Sequence, residues 1–186
     1  MDTDRQQPAP RRLRRTAALG TALAALAGVG LAGTALAGSP AADQARAQPL
    51  VPGTPCSITA RACVDLDSQQ SWLIQDGKVL RGPVGISSGG NGQETPVGHS
   101  LRVYRKDATH VSEESRLADG SPAPMPWSVF FQDGGIAFHS GSPDRSSAGC
   151  IHVPADDARA YFDHLQIGDQ VQVVRASEEN AARGAA

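Results

Sequence analysis

Short alternating runs of apolar and polar residues, cut at close intervals by glycine, proline, asparagine and aspartate, fill residues 60–175 and predict a mainly β domain. Residues 62–66 and 70–75 read as strands. Asp76-Gly77 separates the second of these from residues 78–84, a strong hairpin signal because the pair tolerates the backbone of a tight turn. The run continues through residues 84–88 into the loop Gly89-Gly90-Asn91-Gly92, and a further strand follows at residues 100–105. Residues 106–124 are polar and irregular and read as a long surface loop or flap. Residues 127–131, the turn Asp133-Gly134-Gly135 and residues 136–139 form a second hairpin, and residues 149–153 enter another strand. Only residues 155–165 keep a helical period, with Ala158, Phe162 and Leu165 on one face and Gly168 as a stop signal. Residues 169–175 close the pattern as an alternating strand. The expected architecture is a β-sandwich or barrel with one helix.

The amino terminus has a different pattern. Arg11, Arg12, Arg14 and Arg15 precede an Ala/Leu/Gly run over residues 17–33, and Ala35-Leu36-Ala37 before Gly38 suits a small-residue cleavage site. Residues 1–37 therefore read as a signal peptide, with retention as a membrane anchor the alternative; secretion to the cell wall is expected. Residues 38–55 read as a flexible leader, residues 56–175 as the functional domain and residues 176–186 as a disordered tail. Removing the five arginines and two aspartates of residues 1–37 takes the formal charge from −2 to −5. That balance excludes a nucleic-acid partner, because phosphate recognition needs a basic face. Three cysteines in an oxidising compartment allow one disulfide and one leftover thiol. Cys56 and Cys63, with six residues between them, are the expected pair, leaving Cys150.

That thiol sits in the chain's chemically richest stretch, Phe138-His139-Ser140-Gly141 followed by Ser146-Ser147-Ala148-Gly149-Cys150-Ile151-His152. A cysteine attacks as thiolate, and an ordinary pKa of about 8.5 leaves little thiolate at neutral pH, so a nucleophilic thiol calls for a nearby imidazole. Strand alternation sends Ile151 and Val153 to one face and Cys150 and His152 to the other, with His139 presented by a neighbouring strand. Gly149 lacks a side chain that would block substrate, and its N–H, with that of Cys150, is a candidate oxyanion donor. The competing reading is a small buried cysteine among packed histidines. The small residues 146–149, which make an open turn, favour the nucleophile.

The order of parts resembles the L,D-transpeptidase (YkuD-like) catalytic domain. The resemblance rests on the opening hairpin, Ile86-Ser87-Ser88-Gly89, the turn Thr95-Pro96-Val97-Gly98, the strand carrying His139, the Ser147-Ala148-Gly149-Cys150-Ile151 turn, and the helix followed by Ile167-Gly168-Asp169-Gln170-Val171. It implies a transferase in which Cys150 attacks a peptidoglycan tetrapeptide stem, expels terminal D-alanine and holds a thioester; the exported protein is expected to be a monomer. An amine acceptor then resolves the thioester as a 3→3 cross-link. By the same resemblance His139 is the base, the Ser140 carbonyl orients it, Ser147 supplies a hydroxyl beside the nucleophile, and carbapenem-type inhibitors acylate the thiol. No metal or cofactor is required. Trp127 and His152 are candidate substrate contacts, with burial in the core the competing reading for Trp127.

Three departures from the family pattern stand out: Ala148 replaces a common histidine, the loop from His139 to Cys150 is short, and His152 replaces an arginine or asparagine. A histidine holds a stem carboxylate only when protonated. The rival readings are an L,D-carboxypeptidase that uses water as acceptor, a non-catalytic wall-binding relative, and a zinc hydrolase using His139, Cys150, His152 and His164, whose spacing matches no recognised zinc pattern.

Overall fold

A computed structural model describes residues 39–184, so the predicted signal peptide lies outside the described residues. The elements run α1 (Pro40–Arg46), β1 (Ala62–Asp65), β2 (Gln70–Gln75), β3 (Lys78–Gly85), β4 (Gly98–Arg102), β5 (Arg105–Asp107), β6 (Val111–Arg116), β7 (Pro122–Pro124), β8 (Ser128–Gln132), β9 (Ile136–Ser140), β10 (Ile151–Val153), α2 (Ala155–His164), β11 (Gln170–Val174) and α3 (Ala176–Gly184). Two sheets carry the fold, ordered β3-β2-β1-β11-β4 and β10-β9-β8-β5, with β6 and β7 as a separate two-stranded ribbon. The expected mainly β class holds.

Alternation builds the core between the sheets. Val64, Leu73, Val171 and Val173 from the first sheet meet Val129, Phe131, Phe138, Ile151 and Val153 from the second, with Ala158 and Tyr161 of α2 closing one side. Tyr161 is fully buried and its hydroxyl reaches Ser71 Oγ at 2.8 Å, so the polar end of the ring is satisfied. The chain crosses between sheets at Val103 and Tyr104, which splits the single strand expected at residues 100–105 into β4 and β5.

The opposite face of the first sheet is also covered, and this corrects the expectation of a flexible leader. Cys63 on β1, Trp72 and Ile74 on β2, and Val174 on β11 point away from the main core and pack with Val51, Cys56 and Ala60. A strand that is apolar on both faces needs cover on both, and residues 51–60, which include the end of the leader, supply it. The expected Cys56–Cys63 disulfide is present within this second cluster. Closing so short a loop contributes about 2 kcal/mol by chain entropy. The double variant Cys56→Ala/Cys63→Ala is expected to lose about that much stability in thermal unfolding; unfolding that is insensitive to reductant in the parent protein would contradict it.

The tail is likewise ordered rather than disordered. The Asp65 carboxylate accepts the Ala176 N–H at 3.0 Å, and Asp67 accepts the Ser177 N–H at 2.9 Å, so side chains of the β1–β2 turn start α3. Glu179, 2% exposed, accepts hydrogen bonds from Arg46 Nη2 of α1 at 2.8 Å and from His99 Nε2 of β4 at 2.6 Å. These partners are distant in sequence, and without them a Glu- and Ala-rich terminus reads as solvated chain.

Candidate active site

The first link is strand register. β10 pairs in parallel with β9, placing Ile151 opposite Phe138 and His152 opposite His139. Phe138, Ile151 and Val153 face the core. The alternate positions bring the two imidazoles to 4.9 Å between ring centroids, nearly perpendicular. On its other side His152 bridges to Ser87, exchanging backbone hydrogen bonds of 2.8 and 3.2 Å. Cys150, half-buried, stands immediately before β10 and lines a cleft of about 650 Å³ together with His139, Ser140, Ser147 and His152. The structure therefore gathers most of the residues singled out in the sequence.

The glycine before the thiol has a reason other than the one expected. Gly149 has φ +107°, which disfavours a side chain, and an added Cβ would lie 2.6 Å from Ile136 Cδ1. Its N–H does not face substrate: it donates to Ser147 Oγ at 3.1 Å, and that hydroxyl donates in turn to the Cys150 carbonyl at 2.5 Å. Gly149 is accordingly removed from the pair of candidate oxyanion donors. The Cys150 N–H has no hydrogen-bond partner among the described residues.

His139 is 6% exposed, and its Nδ1 lies 2.9 Å from the Ser140 carbonyl oxygen. A carbonyl only accepts, so Nδ1 carries the proton and Nε2 keeps the basic lone pair. Burial lowers the His139 pKa to about 4, a fall the Ser140 carbonyl opposes and His152 and His110 reinforce. Burial also raises the Cys150 thiol above its ordinary value; the Ala137 backbone opposes this and the Glu114 carboxylate adds to it. The thiol donates to the Gly135 carbonyl at 3.6 Å rather than to an imidazole. Burial thus favours the neutral thiol and neutral imidazole over the expected thiolate beside an imidazole, because it penalises the charged form of each.

His152 is held by three oxygens. Its Nδ1 lies 3.0 Å from the Arg145 carbonyl, 3.2 Å from the Ser142 carbonyl and 3.2 Å from Ser87 Oγ. Facing two carbonyls, Nδ1 donates, and Nε2 is the ring's remaining polar atom. Gly141 packs against this ring so closely that a Cβ there would come within 2.7 Å of Cγ and Cδ2.

Trp127 departs from its expected place. Its φ of +60° turns the chain just before β8, and its ring packs edge-on to Phe162 of α2 at 5.5 Å instead of lining the cleft. Met125, two residues earlier, does line it. The polar segment expected to be irregular is instead the β6–β7 ribbon, whose Glu113, Glu114 and Arg116 form part of the cleft wall. Sequence inspection passed over the roles of Ser87 and Thr95, which appear there only as members of loop motifs. Of the zinc candidates, His164 contacts the Ile74 carbonyl at 3.2 Å and stands outside the cleft.

The L,D-transpeptidase catalytic domain (YkuD) family matches residues 59–173. Similar solved structures include an L,D-transpeptidase from Stackebrandtia nassauensis, at 28% identity and a TM-score of 0.53 over 61% of this chain and 54% of that one. L,D-transpeptidase 1 of Mycobacterium tuberculosis is 27% identical, with a TM-score of 0.52 over 61% and 60% of the two chains. An L,D-transpeptidase in complex with imipenem is 26% identical, with a TM-score of 0.53 over 61% and 57%. The chain thus spans between 54% and 60% of the length of these structures. No curated protein matches it significantly.

Proposed function

The chain belongs to the L,D-transpeptidase catalytic-domain family, and from that premise we propose that it is an exported, monomeric acyltransferase that cross-links peptidoglycan stems through Cys150. The observation that carries this reading is a thiol and a tautomer-fixed imidazole lining one cleft, the thiol just before β10 and the imidazole on β9, two strands paired in parallel. Three arginines, Arg105, Arg116 and Arg145, and two glutamates, Glu113 and Glu114, share that cleft. A stem peptide presents both carboxylates and a free amine, and a wall of both signs suits it.

In the first half-reaction Cys150 Sγ attacks the carbonyl between the third and fourth stem residues while its proton passes to His139 Nε2. Moving the proton as the S–C bond forms avoids a free thiolate, which burial disfavours. The resting thiol–imidazole distance need not be short, since such contacts tighten when substrate enters. Collapse of the tetrahedral intermediate breaks the C–N bond, and His139 returns the proton to the departing D-alanine amine. In the second half-reaction an acceptor amine attacks the thioester and gives its proton to His139. The C–S bond then breaks and the sulfur recovers a proton. His152 contacts the donor stem through Nε2, its Nδ1 being committed to carbonyls.

Export is supported by the arginine-led apolar run of residues 1–37 and by a disulfide, which suits an oxidising compartment. Incubation with a tetrapeptide muropeptide tests the whole reading. The expected products are a 3→3 dimer and one D-alanine per bond formed. Tripeptide alone would reassign the enzyme as an L,D-carboxypeptidase, and unchanged substrate with no adduct on Cys150 would leave a wall-binding relative.

A further inference from the structure

Thr95 lies behind the cleft rather than in it, 4% exposed, yet its hydroxyl is bonded in both directions. It accepts the Gly89 N–H at 2.9 Å and donates to the Gly149 carbonyl at 2.7 Å. The Gly149–Cys150 peptide is trans, so its carbonyl and its N–H point to opposite sides. A carbonyl drawn back onto Thr95 therefore aims the Cys150 N–H away from Thr95. Two further contacts keep this peptide from turning. Gly89 abuts the Gly149 backbone so closely that a Cβ on Gly89 would come within 2.6 Å of Gly149 Cα, and Ser147 Oγ holds the next carbonyl, that of Cys150. With the Gly149 N–H bonded to Ser147, the Cys150 N–H is left as an unpartnered donor beside the thiol among the described residues.

We propose that Thr95 is a positioning residue, aiming the Cys150 N–H at the oxyanion that forms when Cys150 is acylated. The proposal rests on the acyltransferase reading and adds to it a residue that touches neither substrate nor thiol. With imipenem as acyl donor the step balances as follows. The S–C bond forms as the lactam carbonyl's electron pair moves onto oxygen, where the Cys150 N–H meets it; the carbonyl then re-forms, the lactam C–N bond breaks, and the nitrogen receives the proton that His139 took from the thiol.

The test compares Thr95→Val, which removes the hydroxyl at nearly constant shape, with Thr95→Ser, which keeps it. Acylation by imipenem is followed by intact mass, and alkylation by iodoacetamide is measured in parallel, because substitution at that saturated carbon develops no oxyanion. Thr95→Val is expected to slow acylation on the order of 10²-fold, the effect of losing one oxyanion donor, while leaving alkylation unchanged. Thr95→Ser is expected to acylate close to the wild-type rate. Acylation of Thr95→Val at the wild-type rate, or acylation and alkylation falling by the same factor, would overturn the proposal. If the valine variant does not fold, Thr95→Ala serves the same comparison, with the same two results overturning it. A wild-type protein that is alkylated but never acylated would refute the acyltransferase reading itself and carry this proposal down with it.

Discussion

Cys150→Ala is expected to abolish both the mass adduct with imipenem and the release of D-alanine from a tetrapeptide stem. Turnover should fall on the order of 10⁴-fold or more, the scale of losing a covalent nucleophile. The variant should fold, because Cys150 is half-buried at the mouth of the cleft and its one side-chain hydrogen bond, to the Gly135 carbonyl at 3.6 Å, is weak. Neither of the other cysteines can substitute, since Cys56 and Cys63 are joined and buried in the second cluster. A Cys150→Ala protein that still forms a covalent imipenem adduct, or still releases D-alanine, would remove the thiol from the mechanism.

His139→Gln is expected to slow acylation on the order of 10²- to 10⁴-fold, the usual contribution of a general base. The pH profile of the parent protein is the more searching measurement. With His139 lowered by burial to about 4, its lone pair is available above that value and lost as pH falls through it. With the thiol raised by burial, no thiolate accumulates near neutrality. Acylation in the second-order regime, which reports the free protein, should therefore rise through about pH 4 and then run level across neutral pH. A profile that instead follows an ionising thiol near pH 7 would replace the neutral pair with a thiolate–imidazolium pair.

The same shift acts on stability, and its sign follows from proton counting. Between about 4 in the fold and the ordinary 6.5, the unfolded chain binds a proton that folded His139 does not. Stability should then fall as pH drops through that window, by about 3 kcal/mol when complete. His139→Gln should flatten this slope, which separates the buried imidazole from other acid-labile groups.

The site was legible because its chemistry is local. Cys150, His139 and His152 stand within fourteen consecutive residues, and strand alternation alone predicts which of their neighbours turn inward. The turn at Asp76-Gly77 and the helix over residues 155–165 were equally readable, the one from its turn residues and the other from its period. Trp127 was misplaced for a physical reason: its positive φ breaks the alternation that a strand reading assumes. The leader and tail were misread because composition reports how a segment would fare alone. Val51 is buried by the outward face of β1 and β2, and Glu179 is hydrogen-bonded by Arg46 and His99 from other elements.

By itself the amino-acid sequence determined the mainly β architecture, the pairing of Cys56 with Cys63, and the candidate nucleophile and base, since periodicity, spacing and residue chemistry are properties of the chain. Tertiary structure alone decided the burial that disfavours both charged forms of the pair, the loss of Gly149 as a donor and the place of Thr95 behind the nucleophile. Each of these depends on desolvation or on a hydrogen bond between residues far apart in sequence, as Thr95 and Gly149 are, and such terms exist only once the chain has closed around them.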